Sequence, residues 1–210
     1  MARKRIVVDG IPFDNGKVTL TGEHYNYLAN VLRMRKGARF EIQEKGGAVH
    51  SCVVDFVGKG FLTAEISGVY KDASREVHGT IPEITLLCAI MKGRKFPLII
   101  QKAVELGAAR IVPLLTERTV PRLSDPEEKA GRWKKIAYAA VQQCGRRTCP
   151  DVLAPVAPGE AVKLAAGGLK LLLYEKGKTP LKDVLNGIVE FPENIAVAIG
   201  PEGGFAAGEA

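Results

Sequence analysis

Between Ile199 and Phe205 the chain reads Ile-Gly-Pro-Glu-Gly-Gly-Phe, a turn of three glycines, a proline and a carboxylate. It follows Ile195-Ala196-Val197-Ala198-Ile199, a short charge-free run of the kind buried on both faces of a parallel sheet. Glycine admits positive φ and lets a ligand approach the backbone closely, and the N–H groups of such turns suit polar ligands. Gly203 is the position expected to need that freedom. An ordinary strand-to-helix turn has the same composition, so these residues alone leave both readings open. The pattern is not G-x-G-x-x-G, and no Lys-Ser/Thr follows it, which argues against a dinucleotide or triphosphate cradle.

Other residues able to do chemistry sit at further strand ends. Met91-Lys92-Gly93-Arg94-Lys95 and Tyr174-Glu175-Lys176-Gly177-Lys178 would share one edge of a parallel sheet with the glycine turn, and so line one pocket. Thr116-Glu117-Arg118-Thr119 is a fourth candidate, equally readable as an exposed salt bridge beside a turn. Gln142, Gln143, Gly145, Arg146 and Arg147 bring amides and positive charge, although basic C-capping of a helix accounts for the arginines nearly as well. Nothing matches a Ser-His-Asp order, a nucleophile elbow or a telling carboxylate pair. The four cysteines (Cys52, Cys88, Cys144, Cys149) form no C-x-x-C and the three histidines are scattered, so no metal, disulfide or cysteine nucleophile is expected.

The elements that must position these groups change character along the chain. Residues 1–72 are β-rich, with short strands at 5–8, 17–20, 39–42, 49–54 and 62–66 punctuated by Gly, Asn and Asp, as in a small barrel. Within them, Glu23 to Met34 carries Tyr27, Leu28, Val31 and Leu32 at helical spacing. Arg33, Arg35, Lys36 and Arg39 cluster beside it. Residues 73–80 are polar and aperiodic, a linker. From 81 to 210 strands and helices alternate, which marks a parallel α/β sheet. A strand at 84–91 leads to a helix with Pro97 in its first turn, an apolar face of Leu98, Ile99, Ala103 and Leu106, and a Gly107 cap. Next comes a strand at 110–115, where Pro113 points to an edge or a bulge. Ser124-Asp125-Pro126-Glu127 is a capping box for a helix burying Trp133, Ile136, Ala137, Ala140, Val141 and Cys144. Strands at 169–174 and 195–199 follow, with a short helix opened by Thr179-Pro180 between them, and Ala206-Ala207-Gly208-Glu209 is placed to open another.

The 210 residues are 46% hydrophobic and 25% charged, enough for a real core, and the net charge of +7 favours a polyanionic partner. No apolar run is long enough to cross a membrane, and the basic N-terminus leads into a strand, so a cytoplasmic protein is expected.

Taken in register, five stretches form a resemblance: Gln101-Lys102-x-x-Glu105-Leu106-Gly107, Pro113-Leu114-x-Thr116-Glu117-Arg118, Arg132-Trp133-x-Lys135-Ile136-Ala137, Gln143-Cys144-Gly145-Arg146 and Ile199 to Phe205. With Val31-Leu32-Arg33 and Gly37 in the first part, the chain resembles the RsmE-type methyltransferases of the SPOUT superfamily, which methylate N3 of a uridine in 16S ribosomal RNA. The resemblance implies a PUA-like RNA-binding β-barrel over 1–72 and a SPOUT-type parallel-sheet α/β domain with a C-terminal trefoil knot over 81–210. It implies S-adenosyl-L-methionine as cofactor, 16S rRNA or the assembled small ribosomal subunit as partner, and a homodimer.

By position, Leu173, Tyr174, Glu175, Gly200, Pro201, Gly203 and Gly204 are its cofactor-binding residues. Arg118 and Arg146 are its catalytic candidates, and Arg5, Arg33, Arg35, Lys92, Arg94 and Arg146 its RNA-facing cations. The family continues past Glu209 to a Leu-Gly-x-Arg-x-Leu-Arg segment that completes the knot and is missing from this sequence, so a chain incomplete at that end is expected. Gln142 stands where family members often carry Glu. Two readings compete: a non-catalytic RNA-binding protein, and an α/β enzyme acting on a small phosphorylated metabolite.

Overall fold

The computed structural model describes residues 4–10, 13–71, 81–120, 125–165, 167–190 and 192–210. They gather into two compact units, Met1–Glu76 with Val141–Cys149, and Val77–Ala140 with Pro150–Ala210. The expected linker at 73–80 and Ser124 of the expected capping box lie outside the described residues.

In the first unit the strands are β1 (Arg5–Val8), β2 (Phe13–Asp14), β3 (Lys17–Thr21), β4 (Arg39–Glu44), β5 (Ala48–Val57) and β6 (Phe61–Lys71). They form one sheet in the order β1-β4-β5-β6-β3-β2, antiparallel except for the parallel β1–β4 ladder. Alternating residues turn Val18, Leu20, Phe40, Ile42, Cys52, Val54, Leu62 and Ala64 into one core. Ile6 and Val8, at one end of the sheet, share that core with Phe13 at the other end, so the sheet is curled in the manner of a small barrel. The helix expected at 23–34 is wound differently. An α-helical turn, α1 (Gly22–Tyr25), passes into a π-helical turn at Asn26–Val31, and Arg33 then takes a left-handed φ of 51°. That reversal lets the Met34 N–H bond the Leu28 carbonyl at 2.9 Å while both side chains enter the core.

Arg5 corrects the expectation of an RNA-facing cation. The β1–β4 register sets it opposite Glu41, and only 8% of it is exposed. Its Nη2 lies 2.8 Å from Glu41 Oε2, and its Nη1 donates to Gln43 Oε1 at 3.1 Å. A guanidinium already engaged this way has little to offer a phosphate. Gln43 is itself fully buried, and its Nε2 donates to the carbonyls of Arg147 and of Arg146, the latter at 2.9 Å.

The second unit contains β7 (Glu83–Ala89), α2 (Lys95–Glu105), β8 (Arg110–Leu114), α3 (Pro126–Cys144), β9 (Asp151–Val152), α4 (Pro158–Leu164), β10 (Leu169–Leu173), α5 (Leu181–Asn186) and β11 (Asn194–Ile199). Its five strands run wholly parallel in the order β10-β11-β7-β8-β9. Leu87, Ala89, Val112, Leu114, Ala196 and Phe205 share a core with Ala161 and Ala165. Asp125 caps α3, its Oδ1 accepting from the Glu128 N–H at 3.0 Å, with Pro126 at the first helical position. Trp133 packs edge-on against Phe96 of α2 with ring centroids 4.8 Å apart.

Two readings of this unit needed correction. The buried face of α2 is Phe96, Ile100, Ala103 and Val104, whereas Leu98 and Leu106 point outward, because residues three and four apart share a face. Pro113 lies in the interior strand β8. Its missing N–H is tolerated because β9 ends at Val152, and beyond it the Pro113 carbonyl accepts from Val156 while Leu114 makes only an isolated bridge to the same residue. Ala206–Glu209 closes a single turn, through a 3.0 Å bond from the Glu209 N–H to the Ala206 carbonyl.

Replacing Arg5 with Ala removes the guanidinium that Glu41 and Gln43 share. The expected loss is about 3–5 kcal/mol, read as a lower urea midpoint with unchanged slope.

Candidate functional site

Parallel pairing brings the carboxyl ends of β10, β11 and β7 side by side, since β11 is bonded to both neighbours. Leu173, Glu175 and the whole run Ile199 to Gly204 line one cavity of about 380 Å³ there. Six of the seven sequence-assigned cofactor residues are therefore in one place. Tyr174 is the exception; it packs against the sheet core that contains Phe205 and Ala196.

The glycines of this turn have distinct roles. Gly204, not Gly203, takes the left-handed backbone, with φ at 69°. A Cβ on Gly204 would stand 2.4 Å from Glu175 Oε1, so the carboxylate occupies the space a side chain would need. A Cβ on Gly200 would meet the Phe205 ring at 3.1 Å. Gly203 is the more open one, where a Cβ would meet the Arg118 side chain, at 3.4 Å from Cδ and 3.9 Å from Cβ.

Side chains from three directions hold the turn. Arg118, exposed after β8, donates from Nη1 to the Gly203 carbonyl. Lys95, at the start of α2, approaches Glu202 with Nζ 2.7 Å from Oε1. Glu209 accepts from the Glu117 N–H at 2.7 Å and from the Ala206 N–H at 2.9 Å, tying the Thr116–Thr119 loop to the chain just after the turn. The hydrogen bond from Lys95 holds the Glu202 carboxyl below its usual range. Lys95 was visible in the sequence only as one of several basic residues. Glu209 follows Ala206 at the spacing by which a helix's third residue reaches back to its cap, a signal that could have marked it.

The remaining candidates fall elsewhere. Lys92 and Arg94 are exposed on the turn before α2, and Arg33 and Arg35 are exposed after the π-helical turn. Arg146 belongs to the first unit and is half-buried, with its pKa lowered by desolvation. Burial pushes the Cys52 and Cys88 thiols up to about 11 and about 12, far from a reactive thiolate at neutral pH. Among the described residues no cluster of His, Cys, Asp and Glu is arranged to hold a metal, and no helix is long and apolar enough to cross a membrane.

The carboxyl edge of a parallel sheet, where this glycine turn and its cavity lie, is the place at which open α/β sheets bind ligands. Residues 79–210 match the family model described as an RNA methyltransferase domain, and residues 20–67 match the RNA methyltransferase PUA domain. The chain belongs to the RNA methyltransferase family that these models describe.

The chain is 34% identical over 207 residues to ribosomal RNA small subunit methyltransferase E of Synechocystis, a match covering 98% of this chain and 66% of that protein. It is 30% identical over 137 residues to the Bacillus subtilis protein of the same name, covering 64% and 52%. The chain thus spans less than two thirds of the length of these curated relatives. Among solved structures, a methyltransferase of Legionella pneumophila with SAM bound superposes with TM-score 0.86 at 29% identity, covering 100% of this chain and 84% of that one. Ribosomal RNA small subunit methyltransferase E of Neisseria gonorrhoeae, bound to S-adenosyl methionine, gives 0.85 at 27%, covering 99% and 83%.

Gly204→Ala should cost about 1–2 kcal/mol from its left-handed backbone alone, and more while Glu175 fills the space. In a double-mutant cycle with Glu175→Ala the excess disappears, leaving the backbone component in urea melts. The folded Glu202 carboxyl is depressed below its ordinary value of 4.5, so the Lys95 contact is fully formed above that pH and is lost as pH falls through the folded value. A carbon NMR titration of Glu202 should give a midpoint below 4.5 that returns toward it in Lys95→Met.

Proposed function

We propose that the protein transfers a methyl group from S-adenosyl-L-methionine to small-subunit ribosomal RNA, at N3 of a uridine. The observation that carries this reading is the cavity of Leu173, Glu175 and Ile199–Gly204 at the strand ends. Its makeup fits the cofactor. Leu173 is 39% exposed and offers an apolar wall. The Glu175 carboxylate suits hydroxyls or a cation, and the backbone at Gly203 is open to close approach. Leu173, Glu175, Gly200, Pro201, Gly203 and Gly204 would hold the cofactor. When bound, it supplies a methyl already activated as a sulfonium, so the protein need only position the acceptor and favour its anion. Arg118 stands at the rim of this cavity against Gly203, where a guanidinium can stabilise charge developing on the uracil. Two relatives solved with the cofactor bound support the assignment.

The same reading includes 16S rRNA or the assembled subunit as substrate, a homodimer, a knotted carboxyl-terminal part and a cytoplasmic location. Arg33, Arg35, Lys92, Arg94 and Arg146 are its RNA-facing candidates.

The test is incubation with labelled cofactor and small-subunit RNA, with the modified nucleoside identified by mass spectrometry. Arg118→Ala should lower the rate at saturating cofactor by roughly 10²–10³-fold, and Arg118→Lys should recover part of it. An unchanged saturating rate with weaker cofactor binding would restrict Arg118 to holding the turn. RNA binding without cofactor binding would favour the non-catalytic reading.

A further inference from the structure

The β5–β6 hairpin ends in two phenylalanines that the core does not use. Phe56 is 53% exposed and Phe61 is 37% exposed, with ring centroids 5.7 Å apart and planes tilted by 40°. Side chains two apart on a regular strand share a face, so Phe56 belongs on the buried side with Val54, which is 1% exposed. A β-bulge moves it. Val54 pairs with Ala64 but Phe56 pairs with Thr63, leaving Asp55 as the extra residue and resetting the alternation.

The turn beneath the rings is built to receive them. A Cβ on Gly58 would stand 2.5 Å from the Phe61 ring and 3.0 Å from the Phe56 ring. Tyr25 Oη donates to the Gly58 carbonyl at 3.0 Å and pins the turn from the helical side.

The surroundings are basic. The Arg35–Ala38 turn is bonded to β5 through Gly37 N–H to Val54 O and Val54 N–H to Ala38 O. Its Lys36 is 80% exposed, and Arg35 and Lys59 are exposed as well. Two carboxylates there, Asp55 and Glu65, are engaged by lysines. Lys17 bridges both, at 3.4 and 3.1 Å, and Asp55 also lies 3.6 Å from Lys36. Two exposed rings amid surplus positive charge match an unpaired nucleic-acid strand, whose bases have π-faces and whose backbone is anionic.

We propose that Phe56 and Phe61 form a stacking platform for unpaired bases of the RNA substrate, with Arg35, Lys36 and Lys59 holding the adjoining phosphates. This rests on the RNA-methyltransferase reading and adds to it where single-stranded RNA is gripped.

The test compares fluorescence anisotropy of a labelled single-stranded oligoribonucleotide with that of a duplex of equal length. Phe56→Ala/Phe61→Ala should weaken single-strand binding by about 5- to 100-fold and leave duplex binding and cofactor titration unchanged. Phe56→Tyr/Phe61→Tyr should restore it. Lys36→Ala/Lys59→Ala should weaken both RNAs and reduce the salt dependence of each. Equal losses on strand and duplex, or no loss on either, would overturn the platform. So would a shift in light-scattering mass with RNA affinity intact, which would assign the rings to contact between protein copies. A wild-type protein that binds the cofactor but neither RNA would defeat the RNA reading itself, which separates that failure from failure of the platform alone.

Discussion

β11 is hydrogen-bonded on both sides, to β10 from Leu169↔Ile195 through Leu173↔Ile199 and to β7 from Asn194↔Glu83 through Ile199↔Cys88. Both ladders run level, so three strands finish together and their following turns begin at one height. Glu175 and Gly204 meet because of that register, and so do Lys95 and Glu202. A one-residue slip of β11 would send Ile195 and Val197 to the opposite face and part the carboxylate from the glycine whose missing side chain it replaces. The turn is thus positioned mainly by backbone pairing several residues away.

The contacts that then fix the turn are individually weak. Lys95 and Glu202 are both exposed, and an exposed ion pair contributes little and is screened by salt. The restraint comes from number and direction. Arg118 takes a carbonyl, Lys95 a carboxylate, and Glu209 two backbone N–H groups. None of these links belongs to the backbone ladders of the sheet beneath.

The sequence revealed the parallel sheet and the glycine turn because both have local signatures: apolar β-branched runs, and glycines clustered where such a run stops. It hid what depends on partners far along the chain. Arg5 reads as one more basic residue until β1 lies beside β4 and sets Glu41 opposite it, 36 residues away. β9 is two residues long and α4 seven, too short for a periodic pattern to register. Gly203 and Gly204 are indistinguishable as letters. Only the fold decides which of them takes positive φ. The bulge at Asp55 is likewise invisible, since the strand read at 49–54 stops just short of it.

Gln43 carries a consequence for how the protein is made. Its buried amide donates to carbonyls 103 and 104 residues further along the chain. At a synthesis rate of about 5–20 residues per second, Gln43 is made on the order of 5–20 seconds before those acceptors exist. During that interval an amide destined for the interior has only water to bond. The amino-terminal sheet is therefore not a cassette that can be cut at residue 72 and carried elsewhere. Its buried amide is satisfied by a segment of the same unit that the chain writes only after Val77–Ala140 of the second unit.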